Sequence, residues 1–384
     1  MSLKNSQKLH LFIDWFIIII FLGVILGTTT KHALWEKTFR YGPVFIFLAL
    51  CLLFLNHISL KNCFQTKDKE FFLMSGGIFL SGVNMILVRS RIGAIFTIAD
   101  FLLLLYLANK VFFNKIQLGV ITFISFSVWF YWQFISQTNY SNTLHNPNVT
   151  SMFLFMHFCV FMCYLICFTS LRFQVPKWIY YFISFLLIML LIMRILSFNC
   201  RGVFLGAIIW AVTFFLLPKK NYTVPLVIGT SLLIPALYII LWKSGTADGV
   251  SFLGKNVTSG RETIWYEFYK AFKNHPITGI GSDFDRMVPD LYLKEMHQSL
   301  LDLLFVHGIP VFLIAIYLLH QRIKDIINIS SGFSRAVCLA SIYGILTIGT
   351  FENYYIVPPY NIMLLVIFMI PHSSAQDQTL EFKS

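Results

Sequence analysis

The sequence predicts an all-α, polytopic membrane protein with about twelve transmembrane helices and one long loop outside the cytoplasm. Three observations predict this fold class: 57% of the 384 residues are hydrophobic, only 12% are charged, and long apolar runs recur along the chain. A soluble domain carries about 25% charged residues and about 45–50% apolar ones, so a water-soluble fold could not cover this much apolar surface. Lipid is the solvent that fits this composition.

The apolar runs set the positions of the predicted helices, because a transmembrane helix needs roughly 20 mostly apolar residues. Such runs lie at 11–28, 43–60, 71–88, 92–109, 117–136, 151–171, 178–196, 202–217, 223–242, 298–319, 335–351 and 356–371. The chain is therefore expected to divide into helices one to nine in 1–242, a loop in 243–296, and helices ten to twelve with a tail in 297–384. Within the loop, Ile264, Phe268 and Phe272 recur at spacing four and predict an amphipathic helix over Arg261–Phe272.

The connecting segments predict how the protein is oriented in the inner membrane. One alternating set carries Lys or Arg in every segment, for example Lys61, Lys110 and Lys219. The other set is poorer in its short segments, since 137–150 and 352–356 contain neither residue. The positive-inside rule then puts the first set and both termini in the cytoplasm, and the long loop on the outer side.

The formal net charge of +12 could suggest a nucleic-acid partner. The Lys and Arg residues are, however, scattered between apolar runs and do not gather on one face, which favours membrane lipids as their partners. No phosphate-binding GxxxxGK[ST] loop occurs, which argues against ATP hydrolysis. Asp283 and Asp285 flank Phe284, but their neighbours do not form the strand end that is usual for a metal-diphosphate DxD motif. No metal-ligand spacing is found either, so neither a metal nor another cofactor is expected.

Several side chains that suit a phosphate ligand fall at span ends on the predicted outer side. They are Arg89, Arg91, Arg194, Arg201, Arg261 and His297. Arginine offers phosphate or diphosphate a planar fork of donors that never loses its charge, and histidine can accept a proton near neutral pH. The alternative is that the arginines snorkel to lipid headgroups and the histidine is a polar anchor. Few carboxylates lie on the same side, among them Glu352.

Three short patterns resemble the O-antigen ligase and polymerase superfamily, and they occur in the order typical of that family. The patterns are Cys200-Arg201-Gly202 before an apolar span, then Ser259-Gly260-Arg261 followed by His275-Pro276 and Gly279-Ile280-Gly281, and finally His297-Gln298 with Gly308 after nine further residues. The family has Gly, Thr or Tyr three residues after that glycine, where this chain has Val311. The resemblance covers mainly residues 194–311.

The resemblance implies a GT-C-like glycosyltransferase whose donor is a glycan on undecaprenyl diphosphate. The acceptor would be the lipid A-core oligosaccharide in a ligase. The family's essential residues correspond to Arg201, Arg261 and His297, which we expect to be catalytic. Further residues at the same boundary are expected to bind substrate: Arg89, Arg91, Arg194, Gln298 and Gly281.

Other functions remain open at this point. An O-antigen polymerase would use the same carrier and join lipid-linked repeat units, although the one prominent outer loop favours a ligase. A lipid-linked sugar transporter is suggested by the helix count and by the interior polar residues Asn84 and Asp100. A scaffold for an assembly complex would tolerate the loss of Arg201, Arg261 and His297.

Overall fold

The fold consists of long helices joined mostly by short connections. A computed structural model describes residues 3–29, 32–136, 147–169, 176–216, 229, 231–237, 240, 251–252, 255–256, 260–289, 296–330, 332–357 and 359–381. The helices of the first half are α1 (Leu3–Thr29), α2 (His32–His57), α3 (Leu60–Gln65), α4 (Lys69–Leu87), α5 (Gly93–Leu107), α6 (Lys115–Phe130, continued by one π-helical turn, Tyr131–Ile135) and α7 (Pro147–Thr169). Those of the second half are α8 (Lys177–Ser197), α9 (Arg201–Phe215), α10 (Arg261–Phe272), α11 (Phe284–Met287), α12 (Ser299–Ile329), α13 (Gly332–Ile348) and α14 (Tyr360–Glu381).

The predicted all-α polytopic fold is confirmed. Within the described residues, 7 helices are long and apolar enough to cross a membrane, and α5, α9 and α13 are shorter apolar helices. Apart from the ninth, every predicted span coincides with one of these helices or with α14. Most of the ninth predicted span, 223–242, lies outside the described residues. Two two-residue strands, β1 (Ser251–Phe252) and β2 (Lys255–Asn256), pair antiparallel in the long loop.

Helices α9 and α13 pack closely because α9 carries two glycines four residues apart. A Cβ placed on Gly206 would lie 2.6 Å from Cγ1 of Ile348 and 3.0 Å from the carbonyl oxygen of Gly344. A Cβ on Gly202 would lie 3.3 Å from the Cβ of Phe351. Small residues at this spacing let two membrane helices approach backbone to backbone. The glycine of the Cys200-Arg201-Gly202 pattern therefore brings the start of α9 against the segment that follows α13.

Helix α12 is broken at Gly308, whose φ of 82° and ψ of 167° are not helical. The loop containing Gly279 fills the break, with Ile280 N–H donating to the Phe305 carbonyl (2.8 Å) and Ile309 N–H donating to the Pro276 carbonyl (2.9 Å). A Cβ on Gly308 would lie 2.0 Å from the Ile277 carbonyl oxygen. Glycine is thus required at Gly308 both by its backbone angles and by the approach of the loop.

At this break, the side-chain amide of Asn84 donates a hydrogen bond to the backbone carbonyl of His307 at 3.1 Å. The Ser81 hydroxyl, one turn earlier in α4, lies 3.0 Å from Nδ1 of His307. Buried carbonyls need partners, and more so in a membrane where water is scarce. These contacts tie α4 to the middle of α12, which gives Asn84 a structural role in the interior.

The predicted amphipathic helix of the long loop is confirmed as α10, with the predicted boundaries. Its apolar face buries Ile264, Trp265 and Phe268 in a cluster that also contains Leu301 and Phe305 of α12. The loop is therefore packed against the helix that follows it. This packing fixes the first residue of α10, Arg261, relative to the start of α12.

On the opposite, predicted cytoplasmic side, Asp68 is the N-cap residue of α4. Its carboxylate accepts hydrogen bonds from the Glu70 and Phe71 amides, which caps the helix. The same side chain accepts from Nζ of Lys110 and from the hydroxyl of Tyr106, both at 3.0 Å. Burial by itself raises the pKa of Asp68, but these hydrogen bonds outweigh it and hold the pKa below its usual value.

Candidate functional site

One carboxylate, that of Glu352 in the connection between α13 and α14, gathers side chains from distant parts of the chain. Its Oε1 accepts from Nη2 of Arg261 at 2.8 Å and from Nδ2 of Asn148 at 3.0 Å. Its Oε2 accepts from Nδ1 of His297 at 3.2 Å. The guanidinium and the imidazole predicted from the sequence therefore meet on opposite oxygens of one carboxylate.

The carboxylate is largely shielded from solvent, whereas its two cationic partners are more accessible. The side chains of Glu352, Arg261 and His297 are 9%, 18% and 24% exposed, respectively. An anion with so little solvent needs paired charges and hydrogen bonds, and Glu352 has both. Nε of Arg261 is buried and has no hydrogen-bond partner among the described residues.

Backbone and side-chain hydrogen bonds fix His297 relative to Glu352. The Ser299 hydroxyl donates to the Glu352 carbonyl at 3.1 Å and accepts from the Tyr354 amide at 2.9 Å. The backbone amide of Gln298 donates to Oδ1 of Asn353 at 3.1 Å. His297 itself has a φ of 49°, in the left-handed region that a non-glycine residue seldom adopts. Such backbone strain persists only where the surroundings impose it, and it is common at functional sites.

Arg261 is placed by its position at the start of α10. The residue before it, Gly260, caps the helix with a φ of 80°, a left-handed conformation that glycine adopts without strain. Four residues into the helix, Nε1 of Trp265 donates to the carbonyl of Met296 at 2.8 Å. Because Met296 precedes His297, this bond couples the position of Arg261 to that of the histidine.

Arg201 begins α9 and is half-buried between two residues that lie close to the Glu352 segment. On one side is Gly202, packed against Phe351. On the other is Cys200, which lies within electrostatic reach of Glu352 and Arg261. Burial, reinforced by the Glu352 carboxylate, raises the pKa of the Cys200 thiol to about 11, so the thiol stays protonated at neutral pH. Arg261 and His297 thus contact Glu352 directly, and the two chain neighbours of Arg201 lie close to the same segment, residues 351–352.

Two of the other predicted arginines, Arg91 and Arg194, have partners elsewhere in the structure. Nη2 of Arg91 lies 2.9 Å from Oδ2 of Asp285 and 3.5 Å from Oδ1 of Asp283. Arg194 donates to the carbonyls of Trp132 (3.1 Å) and Ser136, and its guanidinium stacks on Phe198 at 4.7 Å. Arg89 is exposed at the end of α4, with a φ of 51°. Their roles in binding substrate stay predictions.

The two remaining predicted residues help to build the site. The side chain of Gln298 is fully buried, caps α12 by accepting from the Leu301 amide, and donates to the Ser231 carbonyl at 2.7 Å. A Cβ on Gly281 would lie 2.6 Å from the Cβ of Ser90, so this glycine lets the loop approach the end of α4. Direct contact of either residue with substrate stays a prediction.

Sequence reasoning missed the organising role of Glu352 and the participation of Asn148. Glu352 was noted only as one of few carboxylates on the predicted outer side. A usable signal was present: Glu352 is the only charged residue in the sequence of the short connection 349–359. An isolated acid beside several predicted cations is a reasonable candidate for their common counter-ion.

The arrangement has the components of a base next to an anion-binding site. A carboxylate that accepts from Nδ1 of a histidine fixes the tautomer, places the lone pair on Nε2 and stabilises the imidazolium that forms when Nε2 takes a proton. Guanidinium groups beside it can bind phosphate oxygens through paired hydrogen bonds. Such a site can deprotonate a hydroxyl group while neutralising a phosphate that leaves.

One known family matches part of the chain. Residues 185–316, about a third of the chain, match the family model described as O-antigen ligase. The matched segment contains Arg194, Arg201, Arg261 and His297, and it ends before Glu352. No curated protein matches the chain. The resemblance of the sequence patterns to the O-antigen ligase and polymerase superfamily is thereby confirmed over this segment of the chain.

Proposed function

We propose that the protein is an O-antigen ligase, which transfers a glycan from undecaprenyl diphosphate to the lipid A-core oligosaccharide at the periplasmic face of the inner membrane. The observation that carries the proposal is the Glu352 carboxylate that joins Arg261 to His297. The site lies where helices α7, α9, α10 and α12 converge at one end of the bundle. That end is the predicted periplasmic boundary, where the diphosphate of a lipid carrier would be found.

Arg201 and Arg261 bind the diphosphate of the donor in this proposal. Both residues stand at the first position of a helix, where the helix dipole also favours an anion. Negative charge grows on the diphosphate as the bond to the sugar breaks, and preorganised guanidinium groups stabilise that charge. The lipid diphosphate is itself a good leaving group, so the proposed reaction uses no metal ion.

His297 acts as the general base, and Glu352 holds its orientation. The acceptor hydroxyl gives its proton to Nε2 of His297 while its oxygen forms a bond to the anomeric carbon of the donor sugar. The bond from that carbon to the diphosphate oxygen breaks, and the electron pair leaves with undecaprenyl diphosphate. Because the acceptor attacks from the face opposite the diphosphate, the anomeric configuration is inverted.

A transfer assay with purified components tests the proposal. The chain is reconstituted in vesicles with a lipid-linked glycan donor and a lipid A-core acceptor, and the new glycosidic bond is detected by gel shift and mass spectrometry. His297→Ala is expected to abolish transfer, and Arg261→Lys to retain part of it, since an ammonium lacks the guanidinium fork. The exposed Lys273→Ala serves as a matched control in the same loop. Full activity of His297→Ala at normal expression would remove the base from the mechanism.

The same assay distinguishes a transferase from a lipid-linked sugar transporter, which forms no glycosidic bond. The transporter is less well supported, because Asn84, one of the two interior polar residues that suggested it, is committed to the break in α12.

A deletion strain distinguishes the ligase from the polymerase. Loss of all capped lipopolysaccharide with accumulation of lipid-linked polymer is expected for a ligase. Core carrying a single repeat unit would instead identify a polymerase.

A further inference from the structure

A groove open to the surrounding lipid runs between α1 and α2, near the connection that joins them. It has a volume of about 330 Å³. Its lining includes Ile20 and Gly23 of α1, and Lys37, Tyr41, Gly42 and Phe45 of α2. These residues lie outside the segments that form the site around Glu352, and the proposed transfer reaction gives them no role.

The groove exists because two glycines leave out the side chains that would fill it. A Cβ placed on Gly23 would have no heavy atom within 4 Å, and Gly23 is exposed. A Cβ on Gly42 would lie 3.8 Å from Cγ1 of Val24, at ordinary van der Waals contact. A larger side chain could therefore be accommodated at Gly23 without a clash, and it would occupy the space of the groove.

The lining changes from cationic to apolar along the groove. Lys37, Tyr41 and Phe45 follow one another at spacing four and share one face of α2. The helix rises about 12 Å from Lys37 to Phe45. The guanidinium of Arg40 lies 5.6 Å from the ring centre of Tyr41, so a second cation stands beside this tyrosine. Tyr41 and Phe45 are 51% and 56% exposed, respectively, and face outward from the bundle.

This order of groups complements an anionic lipid. A phosphate fits beside the ammonium of Lys37 at the membrane boundary, an interfacial tyrosine fits the glycerol region, and an acyl chain fits the apolar end. We propose that the groove binds one anionic phospholipid of the predicted outer leaflet, with its phosphodiester at Lys37 and an acyl chain along Tyr41 and Phe45.

The geometry favours a membrane phospholipid over the carrier lipid. The groove belongs to α1 and α2, whose main neighbours beyond each other are α5 and α6. The site around Glu352 is built by α7, α9, α10 and α12. An ammonium suits the single charge of a phosphodiester, whereas a diphosphate is better matched by paired guanidinium forks such as those expected of Arg201 and Arg261.

Photo-crosslinking in vesicles tests this proposal on the full chain. The probe is phosphatidylglycerol with a diazirine in its acyl chain, and crosslinked peptides are mapped by mass spectrometry. Lys37→Glu should reduce crosslinking to the peptide that contains Tyr41 and Phe45 by about fivefold or more, the factor for one cation near an anionic lipid surface. Gly23→Leu should reduce it by filling the groove.

Two controls make the result specific. Gly82→Leu, on α4, also has no heavy atom within 4 Å of the added Cβ, and Lys61→Glu changes an exposed cation on the predicted cytoplasmic side. Neither should alter the crosslinking. Equal crosslinking in Lys37→Glu and Lys61→Glu would overturn the proposal. Binding of a polyprenyl diphosphate, and not of phosphatidylglycerol, at the peptide that contains Tyr41 and Phe45 would also overturn it. Lys37 is exposed, so Lys37→Glu is expected to leave the packing intact, and it decides the question even if Gly23→Leu fails to fold.

Discussion

Replacing Glu352 by glutamine is expected to slow glycan transfer while leaving donor binding largely intact. The amide oxygen of glutamine can still accept from Arg261 and Asn148, which lie 2.8 and 3.0 Å from Oε1 in the native protein. Nδ1 of His297, 3.2 Å from Oε2, instead faces an amide NH₂ group and loses its acceptor. The substitution therefore removes mainly the orientation of the histidine and the anion that stabilises its charged form.

The magnitude follows from the one charged hydrogen bond that is lost. A hydrogen bond to a charged group contributes about 1.5–3 kcal/mol. Since about 1.4 kcal/mol corresponds to tenfold in rate, kcat should fall roughly 10- to 150-fold if the bond is used mainly in the transition state. KM for the donor should change little, because the arginines are retained.

Glu352→Ala is expected to be more severe. It deprives the mostly buried Arg261 of its counter-ion, and breaking such a pair costs about 3–5 kcal/mol. The protein should then lose stability as well as activity, so the glutamine variant is the informative one.

The assay is the reconstituted transfer reaction, with initial rates measured over a range of donor concentrations. Glu267→Gln is the matched control, because Glu267 lies in α10 and pairs only at the surface, with Nζ of Lys270 at 2.6 Å. That control should transfer at the native rate. If Glu352→Gln had a native kcat at native expression, Glu352 would not be needed to orient His297. An effect confined to KM would instead place the carboxylate in donor binding.

Three further substitutions are expected to act on stability. Gly308→Ala should lower the thermal unfolding temperature in detergent markedly, because the added Cβ would lie 2.0 Å from a carbonyl oxygen. The control Gly76→Ala should leave the unfolding temperature unchanged, because no heavy atom lies within 4 Å of its added Cβ. Equal unfolding temperatures in the two variants would contradict the account of the helix break. Asp68→Asn should remove the acid sensitivity of this cap. Because the pKa of Asp68 is lowered in the folded state, its stabilisation is complete above the unfolded-state pKa and is lost as pH falls through the folded-state pKa. The unfolding temperatures of the native protein and the variant should therefore differ at neutral pH and converge in acid. Arg194→Ala should reduce the unfolding temperature with little change in donor KM, because the Arg194 guanidinium donates hydrogen bonds to two backbone carbonyls at the end of α6. A large rise in donor KM with native stability would instead show that Arg194 binds the donor.

Much of the fold could be predicted from the sequence, because membrane insertion depends on local composition. The apolar runs predicted the helices, and the spacing of Ile264, Phe268 and Phe272 predicted α10 with its boundaries. Arg201, Arg261 and His297 could be selected from short motifs, since each motif carries its own turn or helix start. The orientation of the chain in the membrane stays a prediction, as does its division into helical and loop segments after residues 242 and 296.

The partners of those residues could not be predicted in the same way. Glu352 is 91 residues from Arg261 and 55 from His297, and Asn148 is 204 residues from Glu352. Only the path of the chain brings them together.

The roles of the glycines were equally hidden. In the sequence, Gly308 was only the last matching residue of the pattern that begins at His297. In the structure, it interrupts α12 at the point where the loop containing Gly279 packs against the helix. Hydropathy and motif spacing are properties of neighbouring residues, so the sequence by itself determined which segments are helical and which side chains are candidates. Which carboxylate joins them was decided by tertiary packing, because contacts between distant segments depend on how helices approach one another, and that approach depends on glycines whose partners lie elsewhere in the chain.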